Sequence, residues 1–185
     1  MTELLRPQRC LDDRHLTWRP FPGEDGLFFW VLGVNDARQQ VDLLFRLAPG
    51  ARCPNHRHVG PTDTLVIEGE HRTYALVDGR WVLDQVRPPG VFASNEGDNL
   101  HYEAGGPEGT VILLSMRAVD GVIWEVLDED LQVVTVATIE HFRKALARQT
   151  PIDTSPENTA PITTAPINTV PITTAPSAAA AVSAS

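Results

Sequence analysis

Short runs in which apolar and polar residues alternate dominate the first 150 residues of the chain. In the run QVDLLFRL this period of two predicts a β-strand. One face of that strand would carry Val41, Leu43, Phe45 and Leu47, and the other Asp42, Leu44 and Arg46. The stretch DTLVIEGEHRTYALVDGRWVLDQV predicts three strands and two turns, with Asp78-Gly79 as a hairpin turn because both positions tolerate positive φ. GTVILLSM, GVIWEVLD and LQVVTVAT predict further strands.

One helix is predicted near the end of this region. Thr138 is a suitable N-cap, and apolar residues then recur at helical spacing. These residues are Ile139, Phe142 and Leu146, and the basic residues Arg143, Lys144 and Arg148 lie towards the C-terminal end, where the helix dipole favours cations. Many short strands joined by Gly, Pro and Asp turns, with one terminal helix, predict an all-β sandwich or barrel.

The composition changes at Pro151. From there a proline recurs at every fifth residue up to Pro176, and the segment contains no Lys, Arg or aromatic residue. Such a segment can neither continue a helix or central strand nor offset its ordering entropy by burial. We therefore predict a folded domain over residues 1–150, with its core at about 18–148, and a disordered low-complexity tail over residues 151–185. The tail is either a spacer or docking segment, or a tolerated extension.

Composition narrows the class of protein. Of the 185 residues, 42% are hydrophobic and the formal net charge is −9, which argues against nucleic acid or an anionic membrane as partner. No run approaches the roughly 18 apolar residues of a membrane-spanning helix, and the N-terminus lacks an apolar signal core. Cys10 and Cys53 are too few for a disulfide framework, so a cytoplasmic location is expected.

A histidine pair carries the strongest chemical signal. GARCPNHRHVG places His56 and His58 one residue apart where a strand begins. Alternate strand residues face the same side, so both imidazoles can converge on one point while Arg57 turns away. A metal site needs a third ligand, and His101 is the candidate, because it follows the Gly-bounded segment GVFASNEGDNLHYEAGG.

The remaining histidines are interpreted as structural. His15 lacks a matching partner, His141 lies on the predicted helix, and His71 could line the cavity but is interpreted as a satisfied or exposed imidazole. Cys53 precedes His56 by three residues and could approach a metal. A free thiol in the loop before the strand is the simpler interpretation.

These stretches resemble the two motifs of the cupin superfamily. Gly50 is followed after five residues by His56-Arg57-His58 and then by VIEGE, and His101 comes eleven residues after Gly90. The resemblance covers about residues 18–148. It implies a single-domain cupin, a double-stranded β-helix or jelly-roll barrel in which the motifs face each other and their histidines bind one divalent metal. HRHVGPTDTLVIEGE, LTWRPFPGEDG and DGVIWEVLDEDLQVVTV are similar to the 2,4′-dihydroxyacetophenone dioxygenase and acetylacetone dioxygenase group, whose members hold non-haem Fe(II) with three histidines.

The chain departs from the cupin pattern at several positions. Most cupins place a metal-binding Glu four residues after the second histidine, and here that residue is Thr62, followed by Asp63. This favours the three-histidine variant, with Asp63 as an alternative fourth ligand. In the second motif Glu96 and Asp98 replace the usual Pro and Gly, and Asn95 stands where the dioxygenases often carry Glu, so a carboxylate there would have to come from Glu96.

The resemblance implies an oxidoreductase, a dioxygenase that cleaves a C–C bond of a small hydroxyketone or diketone with O₂. Its metal would be Fe(II), with Zn, Mn or Ni as alternatives because imidazole suits several of these metals. Candidates around the three histidine ligands are Asp63, Arg72, Tyr74, Glu96 and Tyr102. A non-catalytic, sensor-like Zn-binding cupin and a Zn- or Mn-dependent isomerase or hydrolase remain open. Cupins commonly pair, so a homodimer or higher homo-oligomer is expected.

Overall fold

The structure, a computed structural model, describes residues 11–152 of the chain. Within this range the chain forms ten strands and one helix. The strands are β1 (Arg19–Pro20), β2 (Leu27–Asn35), β3 (Gln40–Leu47), β4 (Asn55–His58), β5 (Thr62–Val77), β6 (Arg80–Arg87), β7 (Phe92–Asn95), β8 (Asn99–Arg117), β9 (Val122–Leu127) and β10 (Val133–Thr138). The helix, α1, spans Ile139–Ala147.

The strands form one curled sheet, ordered β1-β2-β3-β8-β4-β9-β10, with β5 pairing to β6, β7 and β8. These strands pair with one another in the antiparallel direction. The 19-residue β8 connects the parts of the sheet, because it pairs with β4 near its start and with β3 towards its end, and runs beside β5 over most of its length. The all-β barrel prediction is confirmed.

The core lies between the inner faces of this sheet. Leu27, Val41, Leu43 and Ile112 are completely buried. The predicted inner face of β3 is confirmed, but Leu44, predicted for the outer face, is also buried. Strand alternation gives the direction of a side chain, whereas its burial also depends on what covers the second face.

The first of the two turns predicted in DTLVIEGEHRTYALVDGRWVLDQV is wrong. β5 runs unbroken from Thr62 to Val77, through the EGE stretch at residues 68–70, with register shifts against β8 on either side of Gly69. Gly69 has φ +68°, and a Cβ there would lie 2.1 Å from the carbonyl oxygen of Gly109, so the glycine marks a β-bulge rather than a turn. The hairpin at Asp78-Gly79 is confirmed, with positive φ at both residues.

The helix is confirmed where the sequence places it. Thr138 is the N-cap, and a capping box links its backbone N–H to Nδ1 of His141, 3.2 Å away. Phe142 packs edge-on against Trp124 of β9, with ring centroids 5.1 Å apart. The helix therefore packs on the sheet at β9, the strand that pairs with β4.

The predicted tail, residues 151–185, lies almost entirely outside the described residues. Between residues 11 and 152, no helix is long and apolar enough to cross a membrane.

Candidate metal centre

Three histidine side chains from two adjacent strands meet inside the sheet. His56 and His58 lie on β4, and His101 on β8 is the direct register partner of His56. Their ring centroids are 4.4 to 5.2 Å apart, and the Nε2 atoms of His56 and His58 are separated by 3.2 Å. Two nitrogens bound at about 2.1 Å to one ion have this spacing when the angle between them is roughly 100°. The pocket geometry thus fits a metal ion.

The outward-facing nitrogen of each ring has a polar partner. Nδ1 of His56 lies 3.0 Å from the carbonyl oxygen of Pro54, and Nδ1 of His101 lies 3.0 Å from the carbonyl oxygen of Asn99. These carbonyls can only accept, so each Nδ1 carries the proton and Nε2 is free to bind a cation. Nδ1 of His58 lies 3.1 Å from the hydroxyl of Thr62, which also approaches a backbone carbonyl at 3.4 Å.

Burial favours the neutral form of His58 and His101. His58 is 2% exposed, and desolvation, followed by the neighbouring His56 and His101, holds its pKa well below the usual value. Desolvation and then His56 lower the pKa of His101 to about 4. Imidazole must be neutral to bind a metal, so the site is ready for a cation at neutral pH.

A buried carboxylate missing from the sequence prediction joins the cluster. Glu103 follows His101 by two residues on β8 and is 4% exposed. Its Oε1 accepts a hydrogen bond from Nε2 of His71 at 2.8 Å, and its Oε2 lies 3.9 Å from Nε2 of His56. The spacing of HYE is the same as that of HRH, so the alternation of strand faces could have identified Glu103.

His71 belongs to the surroundings of this centre. It is completely buried and hydrogen-bonded through Nε2, as expected for a satisfied imidazole, while its Nδ1 has no hydrogen-bond partner among the described residues. His15 and His141 are exposed and lie apart from the cluster.

The other predicted neighbours of the metal do not point into the centre. Asp63 is half-buried and accepts a hydrogen bond from Ser94 at 2.5 Å. Glu96 is exposed in the segment between β7 and β8. Neither lines the cavities beside the histidines.

Arg72, Tyr74 and Tyr102 lie on the outer face of β5 and β8. The rings of Tyr74 and Tyr102 stack at 4.4 Å, and Arg72 donates to Glu70 at 2.5 Å. Each of these residues is next in sequence to one whose side chain faces inward, such as His71 or His101, so its own side chain points away from the histidine cluster. Arg57 turns away from the centre in the same manner and pairs with Glu125.

Cys53 is a free thiol, and it is buried beside the cluster. Its Sγ lies 3.6 Å from Nδ1 of His56 and accepts a hydrogen bond from the backbone N–H of Glu103 at 2.9 Å. Burial and then the Glu103 charge raise the pKa of this thiol well above its usual value. The neutral thiol therefore links the loop that precedes β4 to the backbone of strand β8.

Two cavities adjoin the histidines. A polar pocket of about 150 Å³ is lined by side chains that include Thr64, Thr73, Arg87, Asn95 and Asn99. A smaller cavity of about 30 Å³ has apolar walls that include Phe21, Phe45, Leu114 and Trp124. The candidate ligands thus lie between a polar and an apolar environment.

Comparison with protein families identifies the fold. The family described as the ChrR cupin-like domain matches residues 7–120, more than half of the chain. The chain belongs to this family. The cupin superfamily resemblance of the two histidine motifs is therefore confirmed. No curated protein matches the sequence.

Solved structures show the same cupin fold at low sequence identity. The acetylacetone dioxygenase of Acinetobacter johnsonii aligns with a TM-score of 0.59 and 14% identity, covering 81% of this chain and 97% of that one. A candidate acetylacetone dioxygenase from Methylibium petroleiphilum PM1 has a TM-score of 0.59 and 17% identity, with coverage of 80% and 99%. An RmlC-like cupin from Ralstonia eutropha JMP134 has a TM-score of 0.57 and 15% identity, with coverage of 71% and 79%.

Proposed function

We propose that this cupin is a non-haem Fe(II)-dependent dioxygenase that cleaves a C–C bond of a small hydroxyketone or diketone. The observation that supports it is the convergence of His56, His58 and His101, each buried and each with its Nδ1 held by a polar partner. The acetylacetone dioxygenase among the structural neighbours shares the fold and makes this reaction class the first to test.

The protein would supply a rigid, water-poor binding site. When bound, Fe(II) would provide Lewis acidity and redox chemistry with O₂. The three imidazoles would hold it, and Pro54, Thr62 and Asn99 would fix the orientation of the rings. Neutral nitrogen ligands leave positive charge at the centre, which favours an anionic chelating substrate such as the enolate of a diketone.

The polar pocket is the proposed substrate site. Its volume of about 150 Å³ suits a small molecule, and Thr73 contributes a buried hydroxyl without a hydrogen-bond partner among the described residues. Arg87 is a cationic residue of its lining. The pocket could therefore donate hydrogen bonds to the oxygens of a substrate.

Oxygen uptake tests the proposal. Metal-free protein would be loaded anaerobically with Fe(II) and mixed with a panel of β-diketones and 2-hydroxyacetophenones, with His101→Ala as the control. The proposal predicts uptake with at least one compound, carboxylic acid products detectable by mass spectrometry, and no uptake by the control. Full Fe(II) loading without uptake across the panel would contradict it.

A second candidate is a non-catalytic, sensor-like cupin that binds Zn. It is favoured by Glu103, whose carboxylate lies 3.9 Å from Nε2 of His56 and 4.0 Å from Nε2 of His101, because three histidines and a carboxylate would complete a four-coordinate sphere for zinc. A Zn- or Mn-dependent isomerase or hydrolase would use the same residues. Metal analysis after purification without chelators separates these candidates, since stoichiometric zinc without turnover supports the binding protein.

A further inference from the structure

We propose that Glu103 is a fourth protein ligand of the metal and that His71 holds its carboxylate towards the three imidazoles. The proposal rests on the metal site of the proposed function, whereas it is independent of the reaction catalysed there. It assigns to β8 the carboxylate that is missing from β4 and β5, where Thr62 occupies the usual position.

The carboxylate lies within reach of the same ion as the imidazoles. Glu103 and His101 are alternate residues of β8 and share its inner face. Oε1 of Glu103 is 4.0 Å from Nε2 of His101, and Oε2 is 3.9 Å from Nε2 of His56. Two ligand atoms at about 2.1 Å from one ion are at most about 4.2 Å apart, so Oε2 of Glu103 and Nε2 of His56, at 3.9 Å, are close enough to share an ion.

Histidines surround the carboxylate of Glu103. Within residues 11–152, its ion-pair partners are His56, His71 and His101. A divalent ion held by the imidazoles would place positive charge beside this buried carboxylate and offset the cost of its desolvation.

His71 determines where the carboxylate points. Thr73 on β5 is the register partner of Glu103, and His71 lies diagonally across the two strands on the same face. Nε2 of His71 donates to Oε1 at 2.8 Å, which leaves Oε2 directed at His56. His71 is completely buried and therefore cannot swing away without repacking. It is a positioning residue.

Cys53 is the competing donor near Glu103. Its Sγ, the His56 ring and the Glu103 carboxylate also lie within 4.8 Å of one another. The thiol donates to the carbonyl oxygen of Glu103 and accepts from its backbone N–H, so the sulfur is already engaged by the backbone, which argues against a ligand role. A Cys53→Ala variant should therefore retain metal binding.

Cobalt binding tests the role of Glu103. Metal-free wild type, Glu103→Gln and the control Asp63→Asn would be titrated with Co(II), following visible absorption and competition with a chelator. We expect Glu103→Gln to lose at least tenfold in affinity and to change the Co(II) spectrum, while Asp63→Asn matches wild type. Wild-type affinity and spectrum in Glu103→Gln would overturn the proposal. Absence of Co(II) binding by wild type would overturn the metal site as well.

Two further variants separate positioning from folding. His71→Leu removes the donor to Glu103, and His71→Gln retains an N–H near the same place. We expect a 10- to 100-fold loss of Co(II) affinity in the first and recovery of the wild-type spectrum in the second. Equal affinities and spectra in both would show that His71 does not position the carboxylate. If Glu103→Gln fails to fold, Glu103→Asp keeps the charge and must bind Co(II) with an altered spectrum; an unaltered one contradicts the proposal.

Discussion

Replacing Thr62 by Val tests whether the residue that stands in place of a carboxylate orients a histidine. The change removes a hydroxyl that lies 3.1 Å from Nδ1 of His58 and leaves a side chain of similar shape. His58 and Thr62 are each 2% exposed, so Nδ1 of His58 could not replace the lost partner with solvent. A buried polar group without its partner costs about 1 to 3 kcal/mol, and loss of a ligand's outer partner weakens metal binding roughly 10- to 100-fold.

The matched control is Thr73→Val. Thr73 is also a buried threonine of β5, but its hydroxyl has no hydrogen-bond partner among the described residues. Urea unfolding of the metal-free proteins and chelator competition for Co(II) would be measured side by side. We expect Thr62→Val to lose stability and metal affinity, and Thr73→Val to keep its metal affinity and lose no stability, because the hydroxyl it removes has no hydrogen bond to break. Indistinguishable variants would refute the role of Thr62.

Four further predictions concern the ligand set, the bulge, pH and the tail. His101→Ala should bind Co(II) more weakly by over about 100-fold, yet keep its circular dichroism spectrum; retained affinity removes His101 from the site. Gly69→Ala should lower the free energy of unfolding in urea by roughly 2 to 5 kcal/mol, because the new Cβ would meet the Gly109 carbonyl. Gly79→Ala is the control: its φ is also positive, at +73°, but the space around it is open, so it should lose only about 1 kcal/mol. Equal losses in the two variants would contradict the steric argument. The pKa of His101 is about 4 when folded, against 6.5 ordinarily, so between these values the unfolded chain binds a proton that the folded chain does not. The free energy of unfolding of the metal-free protein should therefore fall on acidification below pH 6.5, by up to about 1.4 kcal/mol per pH unit, and a flat urea profile refutes this. Removing residues from Pro151 onward should leave the melting temperature and metal affinity unchanged, and a large fall in either would show that the tail contributes.

Local alternation predicted most of what brings the three histidines together. The H-x-H spacing of His56 and His58 required only a strand, and β4 provides it. The same rule, applied to HYE, would have placed Glu103 beside His101. It would also have placed Tyr102 on the opposite face, where the structure has it stacked on Tyr74. These two outcomes were accessible from the sequence.

The contact between His71 and Glu103 could not be predicted from strand alternation. Its position opposite Glu103 depends on register shifts between β5 and β8 on either side of Gly69. A glycine in a polar stretch is equally compatible with a turn and with a bulge, and only the partner strand decides between them. The neighbourhood of His71 is therefore a tertiary property, which neither spacing nor composition contains.

The coordination of a metal by three imidazoles is the central claim, and X-ray absorption of the loaded wild-type protein measures it most directly. Protein loaded with one equivalent of Co(II) or Zn(II) should show nitrogen and oxygen neighbours at about 2.0 to 2.2 Å, with outer-shell scattering from three imidazole rings. Loss of the scattering from one ring in His101→Ala would support the assignment. A spectrum with one imidazole or none, or dominated by sulfur, would contradict it.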